Sequence, residues 1–185
     1  MSAPLALALL QAAGGELPPL AAADPATAVQ TVRPAETCEG KLYAGFDFWV
    51  GDWSVYTKDG GALVGKSRVE KQGGGCTVRE TWTPVRGSPG GSLNAPDLIT
   101  GRWHQYWIDS NGQRIDLEGG IFRGTMVLAG RWRGAGGQGE DTMLRITYTP
   151  LDRDSVRQLA EFSGDGGLTW QVSFDYLYLR AARTD

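Results

Sequence analysis

Glu80 lies in the run Cys76-Thr-Val-Arg-Glu-Thr-Trp82, where it shares alternate positions with Val78 and Trp82. Residues two apart in a strand point to the same side. The apolar set therefore carries Glu80 inward with it. A carboxyl in an apolar enclosure can hold the polar head of a ligand. With its pKa raised by desolvation it can also serve as a general acid or base. Gln105 repeats the arrangement between Trp103 and Trp107, and Gln158 stands between Val156 and Ala160. Tyr178 closes an inward series of Trp170, Val172, Phe174 and Tyr176. Adding Trp53 as the floor gives a candidate ligand-binding set of Trp53, Glu80, Trp82, Trp103, Gln105, Trp107, Gln158 and Tyr178. Arg145 or Arg157 would neutralise Glu80 if either turned inward. His104 alternates with the Trp pair, which assigns it to the outer face or the rim.

Other chemistries find no support in the chain. It carries no Ser-His-Asp set, P-loop or dinucleotide fingerprint. Cys38, Cys76 and the single His104 lack the spacing of a zinc site, so no metal is expected. No cofactor is expected either. The formal net charge of −3 leaves no basic surplus to neutralise phosphates, which argues against a nucleic-acid partner.

The elements that must position these residues are strands. From residue 46 onward, short runs of period-two alternation are separated by turn clusters. The separators include "KDGG", "QGGG", "SNG", "GAGGQGED", "PLDRD" and "SGDGG". Glycine, at 27 of 185 residues, falls mainly in these separators. About nine strands result, with room for a tenth inside the stretch "PVRGSPGGSLNAPD", which otherwise reads as a loop or a lid over a barrel mouth. A short turn fits Phe46 to Val50. Hairpin after hairpin predicts an all-β fold, a single up-and-down antiparallel β-barrel of nine to ten strands over residues 36–182. Closure removes the exposed edges of an open sheet. A sandwich would need crossovers that most of these connections are too short to make.

Two stretches carry family information. "SGDGGLTW", Ser163 to Trp170, matches S-x-D-x-G-x-T-W and resembles the Asp-box hairpin of sialidase propellers. One copy does not make a propeller. Its Asp165 carboxylate is suited to accept backbone N–H groups of a tight turn, which Gly166 and Gly167 allow. "FDFWVGDWSV", Phe46 to Val55, contains a G-x-W similar to the one that opens the first strand of lipocalins and related calycins. With "GCTVRETW", "RWHQYWIDSNG", "VRQLAEFSGDGGLTW" and "FDYLYLR", it resembles a bacterial lipocalin-like family of unknown function whose members are often exported. The resemblance spans Phe46 to Arg180 and implies a fold without an activity. Nitrobindin-like barrels share the architecture and bind haem through a histidine. No His lies in the C-terminal strands here, so the likeness does not extend to haem.

The N-terminal segment differs from the rest. Residues 1–35 are Ala-, Leu- and Pro-rich, and Ala21-Ala22-Ala23 resembles a signal-peptidase site, although no Lys or Arg precedes the apolar stretch. The segment reads as an export signal or as a disordered tail. Its apolar core is too short to span a bilayer. Export would place the protein in the periplasm or outside the cell, with Cys38 and Cys76 joined as a disulfide. A plain tail would leave it in the cytoplasm with two buried thiols. The expected function is to bind a small apolar or aromatic molecule with a polar head. The alternative is a barrel isomerase or cyclase using Glu80. The inward tryptophans also have a purely structural reading as core packing.

Overall fold

The computed structural model describes residues 38–59 and 61–181. The signal-peptide or tail reading of residues 1–35 falls outside them. A short 3-10 turn, Asp47–Trp49, precedes ten strands: β1 (Gly51–Thr57), β2 (Leu63–Gln72), β3 (Thr77–Pro84), β4 (Gly90–Pro96), β5 (Trp103–Asp109), β6 (Arg114–Phe122), β7 (Thr125–Trp132), β8 (Thr142–Pro150), β9 (Ser155–Ser163) and β10 (Gln171–Arg180). Each pairs antiparallel with its neighbour in sequence. β10 returns to pair with β1, which closes the barrel. The up-and-down barrel expected from the alternation is the fold, and the tenth strand lies inside the stretch also read as a loop or lid. That stretch is no lid. Its Gly90–Pro96 segment is β4, paired with β3 and β5 and therefore part of the wall.

Inward side chains form three tiers. At one end the turn Asp47–Trp49 drives Phe46 and Trp49 into the lumen, where both are fully buried. Phe46 packs edge-on against Trp103 and Tyr148, at ring separations of 5.1 and 5.3 Å. Trp53 donates its indole N–H to the Trp49 carbonyl at 2.8 Å, and Trp103 donates to the Leu42 carbonyl at 3.0 Å. The indole nitrogens thus fix the chain that forms the plug. The Arg180 guanidinium lies over the Trp53 ring, 4.4 Å from its centre. The middle tier is polar, and the third tier, toward the opposite end, is aromatic.

Cys38 and Cys76 are disulfide-bonded. The bond and a Cys38 N–H to Gly74 carbonyl hydrogen bond of 3.0 Å hold the chain before the plug against the β2–β3 turn.

Two expectations for β10 fail. Val172 is 62 % exposed, and Trp170 packs under the Arg145 guanidinium, 4.1 Å from its ring centre. Arg145 itself pairs with Glu161 on the outer wall. The cause is an irregularity in the β9–β10 ladder: Val172 pairs with Glu161, but the next pair is Phe174 with Ala160. Ser173 is the extra residue, a bulge that reverses facing across it. Phe174, Tyr176 and Tyr178 keep the inward face, while Val172 and Trp170 lose it.

Candidate functional site

The middle tier is built around Glu80, which is 4 % exposed. Alternation in β3 places Val78, Glu80 and Trp82 on one face, as the sequence implied. Ser67 of β2 donates its hydroxyl to Glu80 Oε1 at 2.9 Å, and Ser92 of β4 donates to Oε2 at 3.1 Å. The Tyr178 hydroxyl lies 3.4 Å from Oε1 and 2.8 Å from Gln158 Oε1. Its one proton is shared between the two acceptors, lying closer to Gln158.

From Glu80 the hydrogen bonds run around the lumen and return. Asn94 donates to Ser92 Oγ at 3.0 Å and to the Val78 carbonyl at 2.9 Å. Gln105 donates to Asn94 Oδ1 at 2.7 Å and to the Tyr148 hydroxyl at 3.0 Å. Gln158 donates to the same hydroxyl at 3.1 Å, and Tyr178 joins Gln158 back to Glu80. β3, β4, β5, β8, β9 and β10 thus contribute to one closed polar circuit, and a network satisfied in this way holds its members in single orientations. Burial pushes the Glu80 carboxyl up to about 7, against the opposing pull of the Ser67, Ser92 and Tyr178 hydroxyls. Burial also raises the Tyr148 and Tyr178 phenols, and the Glu80 charge adds to the effect. Both remain neutral donors across the physiological range.

Above the circuit lies a cavity of about 210 Å³ lined chiefly by aromatic side chains. Phe174, Tyr176 and Trp82 form one wall of near-parallel rings, with successive centres 4.5 and 6.4 Å apart. Trp107 and Trp132 also line it, and Asp109 and Gln113 stand at the mouth beside the β5–β6 turn. Two glycines make room for the tryptophans. A Cβ on Gly65 would lie 2.6 Å from the Trp82 ring, and one on Gly90 would lie 2.9 Å from Trp107.

Of the residues singled out from sequence, Glu80, Trp82, Gln105, Trp107, Gln158 and Tyr178 line this cavity together. Trp53 and Trp103 do not. They lie in the plug beneath the circuit, because their positions on β1 and β5 are nearer the closed end. Neither arginine turns inward: Arg157 pairs with Asp175 at 2.7 Å, as Arg145 does with Glu161. His104 is on the outer face as expected, 3.7 Å from Glu118. The sequence reading assigned no role to Ser67, Ser92, Asn94, Tyr148 or Trp132. Tyr148 shares its face of β8 with Leu144 and Ile146, and Trp132 shares its face of β7 with Met126 and Leu128, a signal that could have found both. Among the described residues, no cluster of His, Cys, Asp and Glu could hold a metal ion. No described helix is long and apolar enough to cross a membrane. The chain matches no protein-family model and no curated protein.

Proposed function

We propose that the barrel binds a small molecule whose aromatic or apolar body lies among Trp82, Trp107, Trp132, Phe174 and Tyr176 and whose polar head reaches the circuit at Glu80. One observation carries this reading: a 210 Å³ cavity with aromatic walls ends on a fixed array of polar groups. Apolar walls with a few convergent polar groups are the usual composition of a small-molecule site. A cavity of roughly 150 Å³ suffices for benzene, so this one suits a single ring bearing a short substituent. The Cys38–Cys76 disulfide supports a working place in an oxidising compartment, periplasmic or extracellular.

Titration with 2-phenylethanol, followed by tryptophan fluorescence and thermal shift, tests the reading. Binding quenches the lining tryptophans and raises the melting temperature, since a ligand bound only to the folded state stabilises it by mass action. No change in either signal at millimolar concentration, with 2-phenylethanol or with its amine and carboxylate counterparts, overturns it.

A second reading rests on a specific observation, the Glu80 carboxyl near 7 at the cavity floor. A group poised there is suited to move a proton during an isomerisation or cyclisation. Mass spectrometry of the molecule that co-purifies with the barrel separates the two. A carrier returns its ligand unchanged after prolonged incubation. An enzyme returns an isomer, and Glu80→Gln stops the conversion while leaving the ligand bound.

A further inference from the structure

The cavity has an electrostatic sign. Among the described residues, the only charged side chains in its lining are two carboxylates, Glu80 at the floor and Asp109 at the mouth; no Lys, Arg or His lines it. The groups bonded to Glu80 are Ser67 from β2, Ser92 from β4 and Tyr178 from β10, and behind them in the circuit stand Asn94 from β4, Gln105 from β5, Tyr148 from β8 and Gln158 from β9. Those that titrate are the tyrosines, and both are neutral. The hydroxyls aimed at both carboxylate oxygens are arranged for the ionised form, yet Glu80 has no counter-ion among the described residues. An isolated buried anion is costly, and proteins usually pair one. The neighbouring arginines that could have served are held on the outer wall by Glu161 and Asp175. Above Glu80 the walls are aromatic and offer it no cation.

We infer that the barrel selects organic cations: a compact body carrying one protonated nitrogen, which sits against Glu80 and beneath the aromatic walls. This rests on the binding function proposed above and names the ligand's charge class. The protonated nitrogen supplies the missing counter-ion, and N–H donors match the carboxylate oxygens. Carboxylates and phosphates of the same size are repelled.

Three probes of one shape test it: 2-phenylethylamine, which is a cation, 2-phenylethanol, which is neutral, and phenylacetate, an anion. At pH 8.5 the amine binds tighter than the alcohol by about tenfold or more, as a charge-assisted hydrogen bond to Glu80 provides. Phenylacetate binds weakest. At pH 5 Glu80 is protonated while the amine keeps its charge, so the preference shrinks toward unity. Glu80→Gln abolishes the preference at both pH values and leaves 2-phenylethanol binding in place. If that variant does not fold, the pH dependence of the native chain still decides. An alcohol that binds as tightly as the amine at pH 8.5, or phenylacetate binding best, overturns the inference and leaves the binding function standing. A preference that survives Glu80→Gln overturns it as well. If none of the three binds, both fall.

Discussion

At the scale of single residues, the barrel devotes its middle tier to one carboxyl, and the burden is measurable. The folded state holds the Glu80 carboxyl at about 7, above its ordinary value, so the folded protein retains a proton that the unfolded chain has released. Below the ordinary carboxyl range both states are protonated and Glu80 has no net effect. As pH rises from the ordinary carboxyl range to about 7 the unfolded chain alone releases its proton and stability falls; above 7 the folded state carries the buried charge and the loss is complete. A shift of this size corresponds to about 3 kcal/mol. A Gln at position 80 keeps an acceptor and offers an N–H to a serine oxygen without the charge. We expect Glu80→Gln to be more stable than the native protein at pH 8 by up to about 3 kcal/mol, and equal to it at pH 4. Urea unfolding at the two pH values decides this, and a variant less stable at pH 8 refutes it. A second prediction contrasts adjacent faces of β5. Trp107→Ala weakens 2-phenylethanol binding by about 1–3 kcal/mol through lost apolar burial. His104→Ala, half-exposed beside Glu118, leaves the affinity unchanged. Equal effects in a titration series would mean the ligand lies elsewhere. Glu80 was legible in the sequence because Val78 and Trp82 fix its facing. Ser67, Ser92 and Asn94 were not, since small polar residues give no hydropathy signal of their own. The last two also lie in a Gly- and Pro-rich stretch whose composition argues for a loop.

At the scale of elements, the glycine-rich turn between β9 and β10 could have been a ligand loop or a self-contained hairpin. Asp165 decides between them. Its carboxylate accepts from the Leu168 and Thr169 backbone N–H groups at 3.0 and 2.9 Å and from both flanking hydroxyls, Ser163 and Thr169. These bonds hold its carboxyl well below the usual range. Gly166 and Gly167 take φ of +74° and +96°, which the turn requires. Trp170 caps the arrangement by donating to the Gly167 carbonyl at 3.0 Å. The side-chain oxygens of Ser163, Asp165 and Thr169 all bond within the turn, and no residue of the motif lines the cavity. Asp165→Ala therefore lowers the melting temperature and leaves 2-phenylethanol affinity unchanged in the folded protein. A loss of affinity without a change in melting temperature would make the turn a binding loop. The motif was readable because its bonds are local. The facing of the first residues of β10 was not. Period-two reading carried Trp170 and Val172 inward by extrapolating back from Phe174, and the bulge at Ser173 breaks that parity. A single inserted residue leaves no mark in composition, and its position is set by the ladder with β9.

At the scale of the whole molecule, the barrel solves two problems with opposite ends. Closure of β10 onto β1 leaves no free edge, and the Phe46–Trp49 plug seals one opening. The aromatic cavity can then exist at the other end without weakening the core that supports it. Strand count and closure were legible from the hairpin signals, because each pairing is between sequence neighbours. The depth of each tier along the axis was not. It depends on register, so Trp53 and Trp103, inward as expected, belong to the plug and not to the pocket. The disulfide acts on this plug from outside. It joins the chain just before Leu42 and Phe46 to the end of the β2–β3 turn, across a sequence separation of 38 residues. In the chain-entropy account, a loop of that size contributes about 3–4 kcal/mol by restricting the unfolded ensemble. Reduction, or Cys38→Ser with Cys76→Ser, should therefore lower unfolding free energy by about that amount. The barrel strands lie outside the closing contact, so the native fold should persist. The plug packs on Tyr148 of the polar circuit, with Trp49 and Tyr148 ring centres 4.8 Å apart. Any loosening of the plug therefore reaches the ligand site. Two measurements on the reduced protein separate these effects: its urea midpoint, and its affinity for 2-phenylethanol under conditions where it remains folded. A lower midpoint with unchanged affinity means the bond acts through the unfolded chain. A parallel loss of affinity means that it also holds the plug in place, and an unchanged midpoint refutes the stabilising role.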